Sequence, residues 1–335
     1  MSDRVSEGRE RIVVSRLRFL GDVVLSTPAL EALRAARPAA TIEYLTYEAF
    51  APVLAHHPAV DRVLTMPSGA GVRATWEAVR ALRRPRVDWF FDLFSNPRSA
   101  VLVGLSRPRR SVGQEAGLRS RVYSVRRPPR ATQVLGNLDK VTPLVGEVQE
   151  RLPRLYVSQE ERDEAARNHG FGPERSEIFV HPGATWPWRL WPVERWPLLI
   201  RQLEDLGSGA RVNVVTPPGD GASLARDLAG STPNVRVLPA MGLRGLMAAL
   251  VHGALYVGND GGALHVAVAL GVPTVGLFGG ENQPEEWFPY DHLGPHRAVL
   301  HPSRETFRDR HGTLLPRPDA SHEEVMAAVE AVWPR

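Results

Sequence analysis

The chain has 335 residues, 43% hydrophobic and 23% charged, with a formal net charge of +4 and no cysteine. Those values fit a globular chain of two ordinary domains, and the missing cysteine excludes disulfides, thiolate metal sites and cysteine nucleophiles. No run of about 18 apolar residues marks a membrane span, and the opening MSDRVSEGRERIVVSR lacks the apolar core of a signal peptide, so a cytosolic location is expected.

Apolar runs alternate with amphipathic segments almost throughout, which predicts a parallel α/β architecture. In the first half, strands are expected at 12–15, 42–45, 62–64, 89–92 and 110–112, with helices between them such as 28–36 and 75–83. A polar, proline-bearing passage follows over 146–159. It leads into a charged helix opened by Ser158, with Glu161 three residues on in the capping-box spacing. The alternation then restarts, with strands expected at 178–181, 212–216, 235–238, 255–258 and 274–278. The last segment reads as one amphipathic helix over 321–333, capped by Ser321 with Glu324, its Val325, Ala328, Val329 and Val332 sharing a face. Two Rossmann-like halves follow, 1–155 and 156–335, with the last helix free to pack back on the first half.

Three stretches carry chemistry. The first, SRLRFLGDVVLSTPAL over 15–30, joins the first strand to a helix. A glycine-bearing turn of this kind often seats a phosphate, yet Asp22 follows Gly21 and would repel one. Asp22 reads either as the N-cap of a helix beginning at Val23 or as a general base facing a neutral hydroxyl. An acidic side chain is favoured at a helix N-terminus, so one placement serves both readings.

The second stretch is IFVHPGATWPWRLWPVERW, over 178–196. Its strand ends at His181, Pro182 and Gly183 turn the chain, and Thr185 and Arg189 offer a hydroxyl and a guanidinium fork for phosphate oxygens. The third is LYVGNDGGALHVAVALGVPTVGLFGG, over 255–280. Asn259 and Asp260 are good caps, and Gly261 and Gly262 leave the first helical N–H groups uncovered, which suits a diphosphate. His265 lies about one turn in, either as a packing residue or as a ligand contact. No metal-ligand spacing such as H-x-x-x-H is present.

In their order, these stretches resemble the glycosyltransferase family that contains the ADP-heptose:lipopolysaccharide heptosyltransferases. The matching segments are LGDVVLSTPAL, HPGATWPWRLWP and NDGGALHVAVALGVPTVGLFG. The resemblance implies a GT-B fold, two Rossmann-like domains with parallel sheets facing a central cleft. It further implies a metal-independent, inverting transfer with no cofactor beyond the nucleotide-sugar, expected to be ADP-heptose. By the same resemblance Asp22 looks like the general base, and Thr185, Arg189, Asp260, Gly261, Gly262 and His265 look like donor contacts. The sequence departs from the family pattern in having Arg189 for lysine, Gly261 for serine or threonine, and GGENQPEEWFP after Phe278.

Only Lys140 among the 41 basic residues is a lysine, and the arginines crowd between Arg107 and Arg130. With Tyr123 the lone aromatic there, a nucleic-acid partner is not expected. Arg18, Arg109, Arg110, Arg119 and Arg121 are candidates for an anionic glycan or glycolipid acceptor, the alternative being a solvated surface. A lipid-anchored acceptor implies at most peripheral contact with the inner face of a membrane. Other readings are a different nucleotide-sugar donor, a small-molecule acceptor, or nucleotide-sugar binding without turnover. A nicotinamide oxidoreductase is disfavoured, because no G-x-G-x-x-G follows the first strand.

Overall fold

The computed structural model describes residues 9–69, 71–207, 209–215, 228, 235–279, 282–308 and 311–334. The chain divides into two compact units, Met1–Tyr156 and Val157–Arg335.

In the first unit the strands are β1 (Arg11–Ser15), β2 (Thr41–Tyr47), β3 (Arg62–Met66), β4 (Trp89–Asp92), β5 (Arg110–Gln114) and β6 (Val125–Arg127). They form one sheet in the order β3-β2-β1-β4-β5-β6, and every pairing is parallel. β1 and β4 are buried along their whole length, their apolar runs covered on both faces. The helices are α1 (Leu20–Val24), α2 (Thr27–Ala36), α3 (Val72–Arg83), α4 (Pro97–Ser106) and α5 (Gln133–Val145). The chain then runs without regular structure along α2, where the Arg154 N–H donates to Thr27 Oγ1 at 3.1 Å.

The second unit begins with α6 (Gln159–His169), closed by the Ser158–Glu161 capping box that the sequence predicts. Its sheet holds β7 (Glu177–His181), β8 (Arg211–Val214), β9 (Val235–Val237), β10 (Gly253–Asn259), β11 (Thr274–Phe278) and β12 (His296–Leu300), with α7 (Trp196–Glu204) between β7 and β8. Strand order is β12-β11-β10-β7-β8-β9, again wholly parallel. Helices α8 (Leu243–Leu250), α9 (Gly262–Ala269) and α10 (Pro284–Trp287), the antiparallel hairpin β13 (Pro302–Arg308) and β14 (Leu314–Pro318), and α11 (His322–Val332) complete it.

The two sheets share one topology. Each starts at its centre, builds outward on one side, then crosses back to build on the other. The order reverses between β1 and β4 in the first sheet and between β7 and β10 in the second. In open α/β sheets ligands bind outside the carboxyl ends of the strands at such a switch point.

Several elements differ from the sequence expectation. β6 and β12 are edge strands that the apolar pattern did not reveal, and the β13–β14 hairpin was not expected. Residue 216 of the expected strand 212–216 lies outside the described residues. The last helix packs on α7, β11 and β12 of its own unit. Val325, Val329 and Val332 are buried there in the core with Trp191, Trp196 and Leu255, so this apolar face is satisfied within the second unit.

Candidate active site

At the first switch point the chain leaves β1 after Ser15 and passes through Arg16 and Leu17, both buried, to the exposed Arg18 and Phe19. α1 follows. Asp22 is its third residue, not its cap: Oδ2 accepts the N–H of Phe19 at 2.8 Å and closes the helix start from within. The other oxygen, Oδ1, is ion-paired with the Arg16 guanidinium, and Asp22 is only 7% exposed. Arg16 also donates to the Leu93 carbonyl at 2.8 Å and lies 4.8 Å from the centre of the Phe94 ring. An ion pair, a main-chain bond and a stacked ring thus fix the carboxylate that the Gly-Asp turn presents.

Asp92 ends β4 beside Ser15. It is buried and accepts four donors: Ser15 Oγ at 3.2 Å, the N–H groups of Phe94 and Ser95 at 3.1 and 2.9 Å, and Tyr123 Oη at 2.7 Å. Gly113 admits Tyr123, since a Cβ there would come within 2.5 Å of the ring. Burial and the neighbouring Asp92 charge push the Tyr123 phenol above its ordinary range.

The arginine candidates separate. Arg18 stands beside Phe19, 5.2 Å from its ring centre. Arg119 donates to the Ser95 carbonyl at 3.1 Å, just beyond the end of β4, and Arg121 is exposed in the same 3-10 turn. Arg109 and Arg110 do not join them. Arg110 opens β5 and stacks on Trp89, the first residue of β4, while Arg109 pairs with Asp88 at 3.2 Å. In a parallel sheet these are the amino ends, on the opposite edge from Asp22. The direction of the strands therefore does not bring these two acceptor candidates together with Asp22.

At the second switch point β7 ends at His181 and β10 at Asn259. The buried Asn259 side chain donates to the Pro182 carbonyl at 2.7 Å and accepts the Trp191 N–H at 3.0 Å, holding the His-Pro-Gly loop and the segment after Arg189 together. Asp260 is buried; its Oδ2 accepts Asn282 Nδ2 at 2.7 Å and lies 3.3 Å from an Arg189 nitrogen. Gly261 precedes α9 in an extended conformation and supplies no side-chain cap. The first turn of α9, beginning at Gly262, therefore keeps its N–H groups open to an anion. His265, in that turn, packs against Phe288 and Tyr290. Burial first, and the Arg189 charge second, push its imidazole down to about 4, so it is neutral at pH 7. Arg189, Asp260, Gly261, Gly262 and His265 thus form one cluster. Thr185 stands exposed on the loop before it.

Sequence reasoning missed Arg16, Asp92, Asn282 and the tying role of Asn259. Of the departing loop after Phe278, residues 280 and 281 lie outside the described residues; the rest brings Phe288 and Tyr290 onto His265. Among the described residues no three His, Asp or Glu side chains are grouped to hold a metal ion, and no helix is long and apolar enough to cross a membrane.

Over residues 75–306 the sequence matches the family model of glycosyltransferase family 9 (heptosyltransferase). It is 26% identical to lipopolysaccharide heptosyltransferase 1 of Pseudomonas aeruginosa, across 81% of this chain and 79% of that protein. The fold is similar to the crystal structure of a family 9 glycosyl transferase from Veillonella parvula, with a TM-score of 0.80 at 22% identity over 97% of both chains. It is also similar to the E. coli heptosyltransferase WaaC with ADP, with a TM-score of 0.69 at 22% identity over 87% of this chain and 91% of that one. The two units are Rossmann-like and of the GT-B class.

Proposed function

Because the chain belongs to glycosyltransferase family 9, the heptosyltransferase family, we propose that it transfers a heptose from ADP-heptose to a lipopolysaccharide core or a similar glycan, with inversion and without a metal ion. In this reading the first unit presents the acceptor and the second holds the donor. Asp22 takes the proton of an acceptor hydroxyl as that oxygen bonds to the anomeric carbon. The bond from that carbon to the diphosphate breaks, and ADP leaves with its electron pair. The open N–H groups of α9 and the Arg189 charge, with Thr185, Asp260 and His265 as further contacts, receive the departing diphosphate.

The placement of Asp22 carries the reading. A carboxylate stands at a switch point where a nucleotide fold would otherwise welcome phosphate. Among the described residues each of its oxygens has one partner, and a carboxylate oxygen can accept a second, so a hydroxyl can still donate to it. Arg18, Arg119 and Arg121 suit an anionic acceptor; Arg109 and Arg110 lie at the other end of the strands, on Asp88 and Trp89. An acceptor anchored in lipid would set a cytosolic enzyme to work at the inner face of a membrane, in peripheral contact only.

The test is calorimetric titration with ADP, UDP, GDP and CDP without added metal, followed by turnover of ADP-heptose. Preference for ADP and an inverted product support the reading. Preference for another nucleotide moves the enzyme to a different donor, and absence of binding removes the catalytic claim.

A further inference from the structure

Six large apolar side chains stand exposed among the described residues of the first unit: Phe19, Val72, Trp76, Val101, Leu118 and Val122. Leu118 and Val72 are 75% exposed, and Trp76 is 44% exposed. Apolar residues scattered singly over a surface need no explanation, but a gathered set does. These are gathered. α3 leads from β3 to β4 and α4 from β4 to β5, so both helices start at the carboxyl edge of the sheet. They pack on each other, and Arg83 at the end of α3 donates from Nε to the Leu105 carbonyl near the end of α4 at 2.8 Å. Val72, Trp76 and Val101 thus lie in the halves of the two helices nearer that edge. The 3-10 turn Arg119–Val122, which Leu118 precedes, packs on α4. A Cβ at Gly104, one turn beyond Val101, would stand 3.6 Å from Val122 Cγ1.

Asp22 belongs to the same edge. Phe19 lies three residues before it, and the Arg18 guanidinium stands 5.2 Å from the Phe19 ring centre and 6.0 Å from that of Phe94. The carbonyl of the next residue, Ser95, takes Arg119 of the 3-10 turn at 3.1 Å. A chain of contacts therefore joins the Asp22 loop to the turn that carries Val122.

Charge identifies the partner. α3, α4 and the 3-10 turn hold six arginines and one acid, Glu77, which is paired with Arg73 at 3.0 Å. Trp76 lies between Arg73 and Arg80, three and four residues away on one helix face. Arg80 and Arg121 have no acidic partner among the described residues. Tryptophan at the head-group level, apolar side chains just beyond it and arginines on the phosphates are the elements of a surface that rests on an anionic bilayer. The apolar groups stand on the outer faces of helices, and a fluid lipid surface accepts them without a shaped pocket.

We propose that this face of the first unit docks on an anionic lipid bilayer through Trp76, Val101, Leu118 and Val122, with the arginines between them on the lipid phosphates. Its use in the reaction rests on the reading of a lipid-anchored acceptor; the docking itself does not. Docked in this way, the edge that carries Asp22 faces the membrane, and the glycan of such an acceptor meets the carboxylate without leaving its leaflet.

The chain has no cysteine, so Leu118→Cys in the full chain takes a single environment-sensitive fluorophore. Leu198→Cys, on α7 of the second unit and also exposed, is the control. With vesicles of equal parts phosphatidylcholine and phosphatidylglycerol, the label at 118 should brighten several-fold and shift to the blue, and the label at 198 should stay as in water. Co-sedimentation should weaken about tenfold with phosphatidylcholine alone, and about tenfold in Trp76→Glu/Val101→Glu. A silent label at 118, an equal response at 198, or unchanged binding by the double variant overturns the proposal. A response that needs no vesicles and grows with protein concentration means that a second copy covers this face, and overturns it too.

Turnover separates docking from reaction. Trp76→Glu/Val101→Glu should keep the wild-type kcat/KM on an acceptor glycan freed of its lipid, and lose about tenfold on the same acceptor carried in vesicles. An unchanged rate on the vesicle-borne acceptor overturns the proposal. Absence of any transfer from ADP-heptose would defeat the reading of the reaction, while the label and the co-sedimentation would still decide the docking.

Discussion

Asn259 and Pro182 are 77 residues apart in the chain and 2.7 Å apart in space, the side-chain amide of the first donating to the carbonyl of the second. The same side chain accepts the Trp191 N–H, so one buried residue fixes both ends of the segment that carries Thr185 and Arg189. Asn259→Ala leaves two buried main-chain groups without partners. The expected cost is about 2 kcal/mol, seen as a fall in Tm of roughly 4–8 °C, with weaker ADP binding because Arg189 loses its support. Unchanged melting and unchanged ADP titration would show that the loop holds itself.

Gly261 is a position where the chain can be improved. A Cβ there would meet only the Asn259 carbonyl, at 3.9 Å, and the backbone is extended, so any residue fits. Gly261→Ser adds a capping hydroxyl at the start of α9, worth a few tenths of a kcal/mol. The expected result is a Tm unchanged or slightly raised and ADP bound a few-fold more tightly. Weaker binding would mean that the diphosphate needs the bare glycine.

Asp22→Asn keeps the shape of the side chain and an acceptor for the Arg16 guanidinium. Its kcat should fall by about 10²–10⁴, with ADP affinity within twofold of the wild type. Asp22→Ala is the harsher variant, since it strands the buried Arg16 charge at a cost of about 3–5 kcal/mol. Comparing the two by melting and by turnover separates loss of the base from loss of the fold.

His265 is held neutral by burial and by Arg189, with its imidazole pushed down to about 4. The unfolded chain takes up that proton near the ordinary value of about 6.5, the folded one not until about 4. Its contribution is therefore complete above about pH 6.5, is lost as pH falls from there to about 4, and is constant below. Denaturant titrations across that window should show a slope of at most about 1.4 kcal/mol per pH unit from this group, absent in His265→Gln.

Charge reversal of the arginines should divide them by sheet edge. Arg18→Glu and Arg119→Glu should raise the acceptor KM several-fold, while Arg109→Glu and Arg110→Glu leave it within twofold. Steady-state kinetics with an anionic acceptor decide it. A raised KM in the second pair would mean that the acceptor reaches the amino ends of the strands.

The interiors of both sheets could be read directly, because β1, β4, β7 and β11 each carry a short apolar run. β6 could not: Val125–Arg127 includes two arginines, a charged edge strand recognised only by its pairing. The site was legible in part. Asp22 stands out as a carboxylate in a phosphate-type turn, but the helix start was read three residues late because Phe19 carries no capping oxygen. Arg16 and Arg18 look alike in SRLRFLGD. Only the pairing of β1 with β4, which brings Leu93 and Phe94 under the loop, turns Arg16 inward. Asp92 lies 70 residues from Asp22 in no local pattern, and only the pairing of β1 with β4 sets it beside Ser15 at that seam. In the second unit the NDGG stretch announced its helix terminus, whereas Asn282 reaches Asp260 from a loop with no local signal for that contact.

The reversal of strand order beside β1 has a consequence for how the protein is made. Ser15 lies next to Asp92 at the seam that seats Asp22, and those partners are separated by 77 residues. A chain leaving the ribosome amino end first has β1, β2 and β3 in hand well before β4 exists. The seam cannot close until Asp92 has emerged. Pairings of such long sequence separation form slowly. The first unit therefore closes this seam only after β4 has been made, and a nascent chain stalled before β4 would carry the Gly-Asp turn without the Leu93 carbonyl and Phe94 ring that hold Arg16 against it.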